Sequence, residues 1–161
     1  MALEIERKFL VRSDAFKTEA FRKTEIMQGY IATGNGRTVR VRIRDDKGYL
    51  TIKGPSFDGG LSRYEWEHEI ALTEARELMQ LCEPGIIHKT RYEVQAGELI
   101  FEVDEFYGEN QGLVVAEIEL PSLQASFSIP EWLGEEVTGQ KKYYNAHLRR
   151  NPFTRWNELN S

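Results

Sequence analysis

The sequence predicts a mainly-β, α+β fold: about eight antiparallel strands closed into a barrel or a strongly curved sheet, with short helices on its flanks. Three observations carry this. Charged and apolar residues alternate in short segments all along the chain, the period-two signature of strands. Turn signals such as Asn35-Gly36 and Asp45-Asp46-Lys47-Gly48 stand between neighbouring segments at hairpin distance, which favours antiparallel pairing. The apolar spacing switches toward a helical period only in three or four short stretches.

Taken in order, residues 3–11 alternate Glu4, Glu6 and Lys8 against Leu3, Ile5, Arg7 and Phe9, a strand with two carboxylates and an ammonium on one face. Ser13-Asp14 is placed to cap a helix through about residue 23, with Phe16, Ala20 and Phe21 near helical spacing. Strands are expected at 26–32, 38–44 and 49–53, joined by the two turns above. Residues 54–60, with three glycines and a proline, form a loop. A long strand covers 61–72, and a helix from Thr73 runs through Cys82 to a stop at Pro84-Gly85. Strands at 86–94 and 99–106 flank Gln95-Ala96-Gly97-Glu98, and the last clear strand is 113–120. Pro121 suits the first turn of a short helix. A turn-rich connector at 130–134 then leads to a final helix at 139–150.

At 161 residues the chain is read as one domain, 1–161, with room for a real core. It is 40% hydrophobic and 29% charged, a globular profile. A net charge of −5 argues against general nucleic-acid binding. The lone Cys82 excludes an intramolecular disulfide and a cysteine zinc site; its helical setting suits a small buried hydrophobe. No N-terminal run resembles a signal peptide, and no stretch approaches the ~20 apolar residues of a membrane span. A cytoplasmic protein without a membrane partner is therefore expected. His68, between Trp66 and Ile70 in phase, reads as a packed or interface side chain, and no histidine pair has metal spacing.

The charged phase is unusual. A solvated sheet face mixes charges with Thr and Ser, yet here it is almost wholly Arg, Lys, Glu and Asp in segment after segment. A closed barrel explains this by lining a wet lumen with charge and turning the apolar phase outward. The outward shell, with Ile5, Phe9, Val41, Tyr64, Trp66, Phe101 and Ile118, then needs cover from the helices or from a second copy in a homodimer. The lumen would hold an acidic set (Glu4, Glu6, Glu65, Glu67, Glu102, Asp104, Glu117, Glu119) and a basic set (Lys8, Arg40, Arg42, Lys53, Arg63, Lys89, Arg91). Crowded carboxylates call for cations. Hard ions such as Mg²⁺ or Mn²⁺ take carboxylate oxygens and leave positions for phosphate, while Arg and Lys suit phosphate oxygens. Both sets together imply a polyanion held between them, and a linear triphosphate fits.

These residues closely resemble the CYTH, or triphosphate tunnel metalloenzyme, superfamily. Its N-terminal ExExK signature is met by Glu4, Glu6 and Lys8; Arg40, Arg42, Lys53, Lys89, Arg91, Glu102, Asp104, Glu117 and Glu119 follow in the expected order, as do Thr138, Lys141, Lys142, Tyr143 and Asn145. The resemblance spans nearly the whole chain and is strongest to the small bacterial triphosphatases. It implies an eight-stranded antiparallel tunnel and metal-dependent hydrolysis of a triphosphate, most naturally inorganic tripolyphosphate to diphosphate and phosphate. Under it, Glu4, Glu6 and Glu119 hold one Mg²⁺ or Mn²⁺. Glu67, Asp104 and Glu117 hold a second ion or orient water. Lys8, Arg40, Arg42, Lys53, Arg63, Lys89 and Arg91 grip the substrate. Tyr30 is carried as a catalytic candidate beside Lys89, since some relatives assign a role to a tyrosine after the first helix. A class IV-type adenylate cyclase and a non-enzymatic polyphosphate-binding module are the alternatives; the first needs a purine pocket that no sequence feature demands, and the second is disfavoured by the carboxylates.

Overall fold

The computed structural model describes residues 2–156. Nine strands form one antiparallel sheet: β1 Ala2–Val11, β2 Arg22–Gly34, β3 Arg37–Arg44, β4 Lys47–Lys53, β5 Ser62–Ile70, β6 Ile87–Ala96, β7 Leu99–Phe106, β8 Val114–Glu119 and β9 Leu133–Glu136. Three short helices are added, α1 Phe16–Glu19, α2 Leu72–Met79 and α3 Asn145–Leu148. The strand order is β5-β4-β3-β2-β6-β7-β8-β1, and a β1–β5 pairing closes eight strands into a barrel. Among the described residues no helix is long and apolar enough to cross a membrane.

β1 is the seam of the closure. Its first half pairs with β5, Glu4 opposite Arg63. From Glu6 on, its other edge pairs with β8, Glu6 opposite Glu119 and Lys8 opposite Glu117. The edge that β5 leaves free is taken by β9, Phe9 opposite Glu136, and the Val137 N–H donates to the Lys8 carbonyl at 2.8 Å. Each register puts charged side chains of neighbouring strands on the same face, which is the inside.

The apolar phase packs outside. Phe9, Tyr92, Val94, Phe101, Val103, Ala116 and Ile118 from β1, β6, β7 and β8 are buried beneath Phe16 of α1, Trp132 and Leu133. Phe101 and Trp132 meet edge to face with centroids 5.3 Å apart, a favourable aromatic geometry. A second cluster joins Ile87, Phe106, Leu113 and Val115 to Val137, Tyr143 and Leu148. Full burial of such a side chain contributes about 1.5–3 kcal/mol, so the C-terminal segment is anchored by its apolar residues. Cover is incomplete on the opposite wall, where Leu3, Ile52, Tyr64 and Trp66 remain exposed.

Several local expectations are corrected. The first helix spans four residues, not ten, because Ala20 is extended and the Phe21 N–H already donates to Glu93 in the sheet. Residues 121–132 form turns and irregular chain, with no helix at Pro121. The predicted connector at 130–134 runs into β9, Leu133–Glu136. The final helix is broken into a 3₁₀ turn at Lys141–Tyr143 and α3, with Tyr144 extended between them at φ −72° and ψ 135°. Cys82 lies past the end of α2 and is half-buried, its thiol facing the Leu78 carbonyl at 3.6 Å. His68 is exposed, stacked on Trp66 at 4.4 Å rather than packed under cover. Trp156 packs against Tyr143 and Phe153.

Candidate active site

The barrel encloses a cavity of about 720 Å³. Strand alternation delivers its lining: Glu4, Glu6 and Lys8 from β1, Tyr30 from β2, Arg40 and Arg42 from β3, Lys53 from β4, Arg63, Glu65 and Glu67 from β5, Lys89 and Arg91 from β6, Glu102 from β7, and Glu117 and Glu119 from β8. Of the residues expected from the sequence, Asp104 alone does not border the space. It lies behind the lining, where Arg91 Nε and Nη2 reach its two oxygens at 2.8 and 2.9 Å and Lys89 Nζ reaches Oδ2 at 2.7 Å. Burial pushes the Asp104 carboxyl up, but Arg91 and Lys89 outweigh it and hold it below its usual range. Both oxygens are occupied by cations, which makes Asp104 their counter-ion.

The acidic residues share protons and cations unequally. Burial, reinforced by Glu117 and Glu4, pushes Glu6 well above the usual carboxylate range. Glu117 is also pushed up by burial, yet Lys8 at 3.3 Å, Arg91 and Lys89 prevail and hold it low. The same division separates Glu65, raised to about 7 by burial and by its hydrogen bond with Glu4, from Glu4, where Lys53 Nζ at 3.0 and 3.2 Å overcomes burial. Glu119 is raised by burial and by Glu4 and Glu102. Negative charge is thus in excess beside β1, β5 and β8.

On the β3 side the excess is positive. Arg40 and Arg42 are buried, and each reaches Glu67 Oε1 only at 3.4 Å, an oxygen that already accepts from the Thr51 hydroxyl at 2.6 Å. Nε of both arginines is buried without a partner. Burial, then Arg40 and Arg91, pull the Arg42 guanidinium down to about 9. Buried cations with idle donors are costly unless an anion joins them. Lys89 is similar: burial, opposed by Asp104, brings its ammonium down to about 8.

Two expected residues have protein partners of their own. Arg63 borders the cavity, but its Nε and Nη2 donate to the carbonyls of Gly54 and Gly36, clasping two loops. Tyr30 lies in the lining with its hydroxyl taking a hydrogen bond from Gln28 Nε2 at 3.3 Å. Lys141 reaches the cavity, whereas Lys142 lies over the rings of Tyr143 and Trp156. Thr138 and Asn145, matched by the family pattern without an assigned role, also line the space, and so do Tyr144 and His147, for which no sequence signal stood out. They reach it because Gly139 meets Gly59 and Gly60 without side chains: a Cβ on Gly139, at φ +80°, would overlap the Gly59 carbonyl.

The donor set can be tested against a divalent cation. Among the described residues no three Asp, Glu, His or Cys side chains converge closely enough to make a finished ion site. The chemistry nonetheless suits a hard ion: the lining carries carboxylates and no cysteine, and Glu6 and Glu65, raised by burial and by their acidic neighbours Glu117 and Glu4, offer oxygens that a cation would relieve of repulsion.

The chain is similar to known proteins over nearly its whole length. The CYTH domain family matches residues 2–147. The chain is 49% identical over 159 residues to the inorganic triphosphatase of Acetivibrio thermocellus, covering 98% of this chain and 100% of that protein. It is 37% identical over 150 residues to the inorganic triphosphatase of Nitrosomonas europaea, covering 90% and 95%. The crystal structure of the inorganic triphosphatase NE1496 matches with a TM-score of 0.61 at 31% identity, over 91% of this chain and 97% of that one.

Proposed function

The chain belongs to the CYTH family, and from that premise we propose that it hydrolyses inorganic triphosphate to diphosphate and phosphate inside its barrel, with Mg²⁺ or Mn²⁺. The observation that carries this is the charge division of the lumen: idle buried guanidinium donors on Arg40 and Arg42 stand in one cavity with the carboxylates of Glu4, Glu6, Glu117 and Glu119. A polyanion alone satisfies the first set and a cation alone the second. A metal triphosphate satisfies both.

Lys8, Arg40, Arg42, Lys53, Lys89 and Arg91 bind the phosphate oxygens, the guanidiniums by forked hydrogen bonds and the ammoniums as point charges. Glu4, Glu6 and Glu119 would hold one metal ion, and Glu117 and Glu67 would serve a second or orient water. Such ions polarise phosphoryl oxygens and offset the charge of the attacking and leaving oxygens. Asp104 acts from behind, keeping Lys89 and Arg91 charged and fixed. Water attacks the terminal phosphorus, the bridging P–O bond breaks, its electron pair leaves on diphosphate, and the water's proton passes to a carboxylate and then to solvent. Positioning and electrostatics supply most of the rate; Tyr30 is the candidate to align a phosphate oxygen or the water, which its place opposite Arg40 in the β2–β3 register supports.

The test is phosphate release from tripolyphosphate, ATP and thiamine triphosphate, each with Mg²⁺, Mn²⁺ or chelator. Fast release from tripolyphosphate that stops with chelator is the expected result. Release that persists in chelator, or faster turnover of ATP or thiamine triphosphate than of tripolyphosphate, overturns the assignment.

A further inference from the structure

The C-terminal segment enters the cavity beyond the barrel wall, and one of its polar contacts goes to a buried cation. Asn145 Oδ1 accepts a hydrogen bond from Lys89 Nζ at 3.0 Å, and Lys89 is 2% exposed. We infer that Asn145 is a positioning residue that fixes the Lys89 ammonium for its contact with the terminal phosphate. This rests on the triphosphatase reading above.

The count of donors supports it. A lysine ammonium has three N–H groups and no acceptor. One goes to Asp104 Oδ2 at 2.7 Å and one to Asn145 at 3.0 Å, while the ring of Phe106 lies 5.4 Å from Nζ. Two fixed acceptors on different elements, β7 and α3, set the direction of the third N–H, and Lys89 borders the cavity. With Asp104 alone the ammonium could turn about the long, flexible stem, and the entropy of fixing it would be met during the reaction.

The backbone around Asn145 is held independently of this contact. Arg149 Nη2 donates to Thr33 Oγ1 at 2.9 Å and to Glu83 at 2.8 Å, and Leu148 and Tyr143 are buried in the second apolar cluster. Extended Tyr144 interrupts what would have been a continuous helix just before Asn145, so the amide side chain is delivered to the lumen rather than to a helix face. Removing the side chain therefore tests its contact and leaves the segment seated.

The experiment compares the parent with Asn145→Leu, which keeps the shape without the acceptor, and Asn145→Asp, which keeps the acceptor. Loss of a hydrogen bond to a buried charge is expected to lower kcat about tenfold or more in Asn145→Leu with KM within about threefold. Asn145→Asp is expected to recover kcat to within about threefold while raising KM, because its charge opposes the phosphates. A second readout needs no turnover: the ¹⁵N signal of the Lys89 ammonium, assigned with Lys89→Arg, is expected to exchange slowly in the parent and fast in Asn145→Leu. Unchanged kcat and an unchanged ammonium signal in Asn145→Leu overturn the inference, as does equal loss of kcat in both variants. A parent that releases no phosphate defeats the triphosphatase reading, and the ammonium signal still decides whether Asn145 fixes Lys89.

Discussion

Asp104→Asn is the sharpest perturbation of the proposed division of labour. The side chains of Asp104, Lys89 and Arg91 are 3%, 2% and 8% exposed, and one carboxylate neutralises both cations at 2.7–2.9 Å. Removing one partner of a buried pair typically costs about 3–5 kcal/mol, because the other charge is left uncompensated. The amide keeps the shape and one acceptor, so about 3 kcal/mol is expected. For a chain of this size each kcal/mol moves the thermal midpoint by about 2–4 °C, which predicts a fall of about 6–12 °C in calorimetry without ligand. Tripolyphosphate added with chelator supplies the missing negative charge and is expected to restore more of the midpoint in the variant than it adds to the parent. A midpoint within about 2 °C of the parent would refute the counter-ion role. A stable variant that loses metal affinity instead would return Asp104 to the metal ligands.

Glu6→Gln is expected to abolish metal-dependent turnover, a loss of about a hundredfold or more in kcat, without loss of stability, since burial and its acidic neighbours already disfavour the Glu6 charge; near-normal turnover at saturating Mg²⁺ would sink its assignment. Lys89 releases its proton at about 8 in the folded protein against an ordinary value of 10.5, so KM for tripolyphosphate should rise as pH climbs through about 8. Between those values the unfolded chain binds more protons, so this residue's contribution to folding stability increases with pH across the same window; denaturant titrations at several pH values measure that, and a KM flat through the window contradicts the placement of Lys89 on the substrate. Gly139→Ala puts a Cβ against the Gly59 carbonyl at φ +80° and should cost about 1–3 kcal/mol, read as a lowered denaturation midpoint; an unchanged midpoint means that this backbone contact is loose.

The lumen was legible because a strand repeats every two residues. Glu4, Glu6 and Lys8 had to share a face, as did Arg40 with Arg42 and Lys89 with Arg91, whatever their neighbours were. Who neutralises whom was not legible, because it depends on register across the barrel. Asp104 has the same sequence signature as Glu102 and Glu117, yet it meets two cations and lies behind the lining, while Arg63 spends two donors on loop carbonyls. The C-terminal segment was misread for a related reason. Residues 139–150 carry helical spacing, but tertiary contacts override it: Tyr144 lies with its ring 4.9 Å from Lys8 Nζ and Asn145 is bonded to Lys89. β9 has too few alternating residues to announce itself; it forms because β5 leaves an edge of β1 open.

The seam at β1 also bears on how the protein is made. The strand that carries Glu4, Glu6 and Lys8 leaves the ribosome before the other eight, but its partners in β8 and β9 lie more than a hundred residues later. At about 5–20 residues per second, β1 waits roughly 5–20 s for β8 to be synthesised. Contacts of such sequence separation are slow to form even in the finished chain. Until they form, the carboxylates of β1 have no lumen and its apolar face has no cover. Ring closure and assembly of the charged lumen are then one event, so a nascent or partly opened barrel presents no completed site.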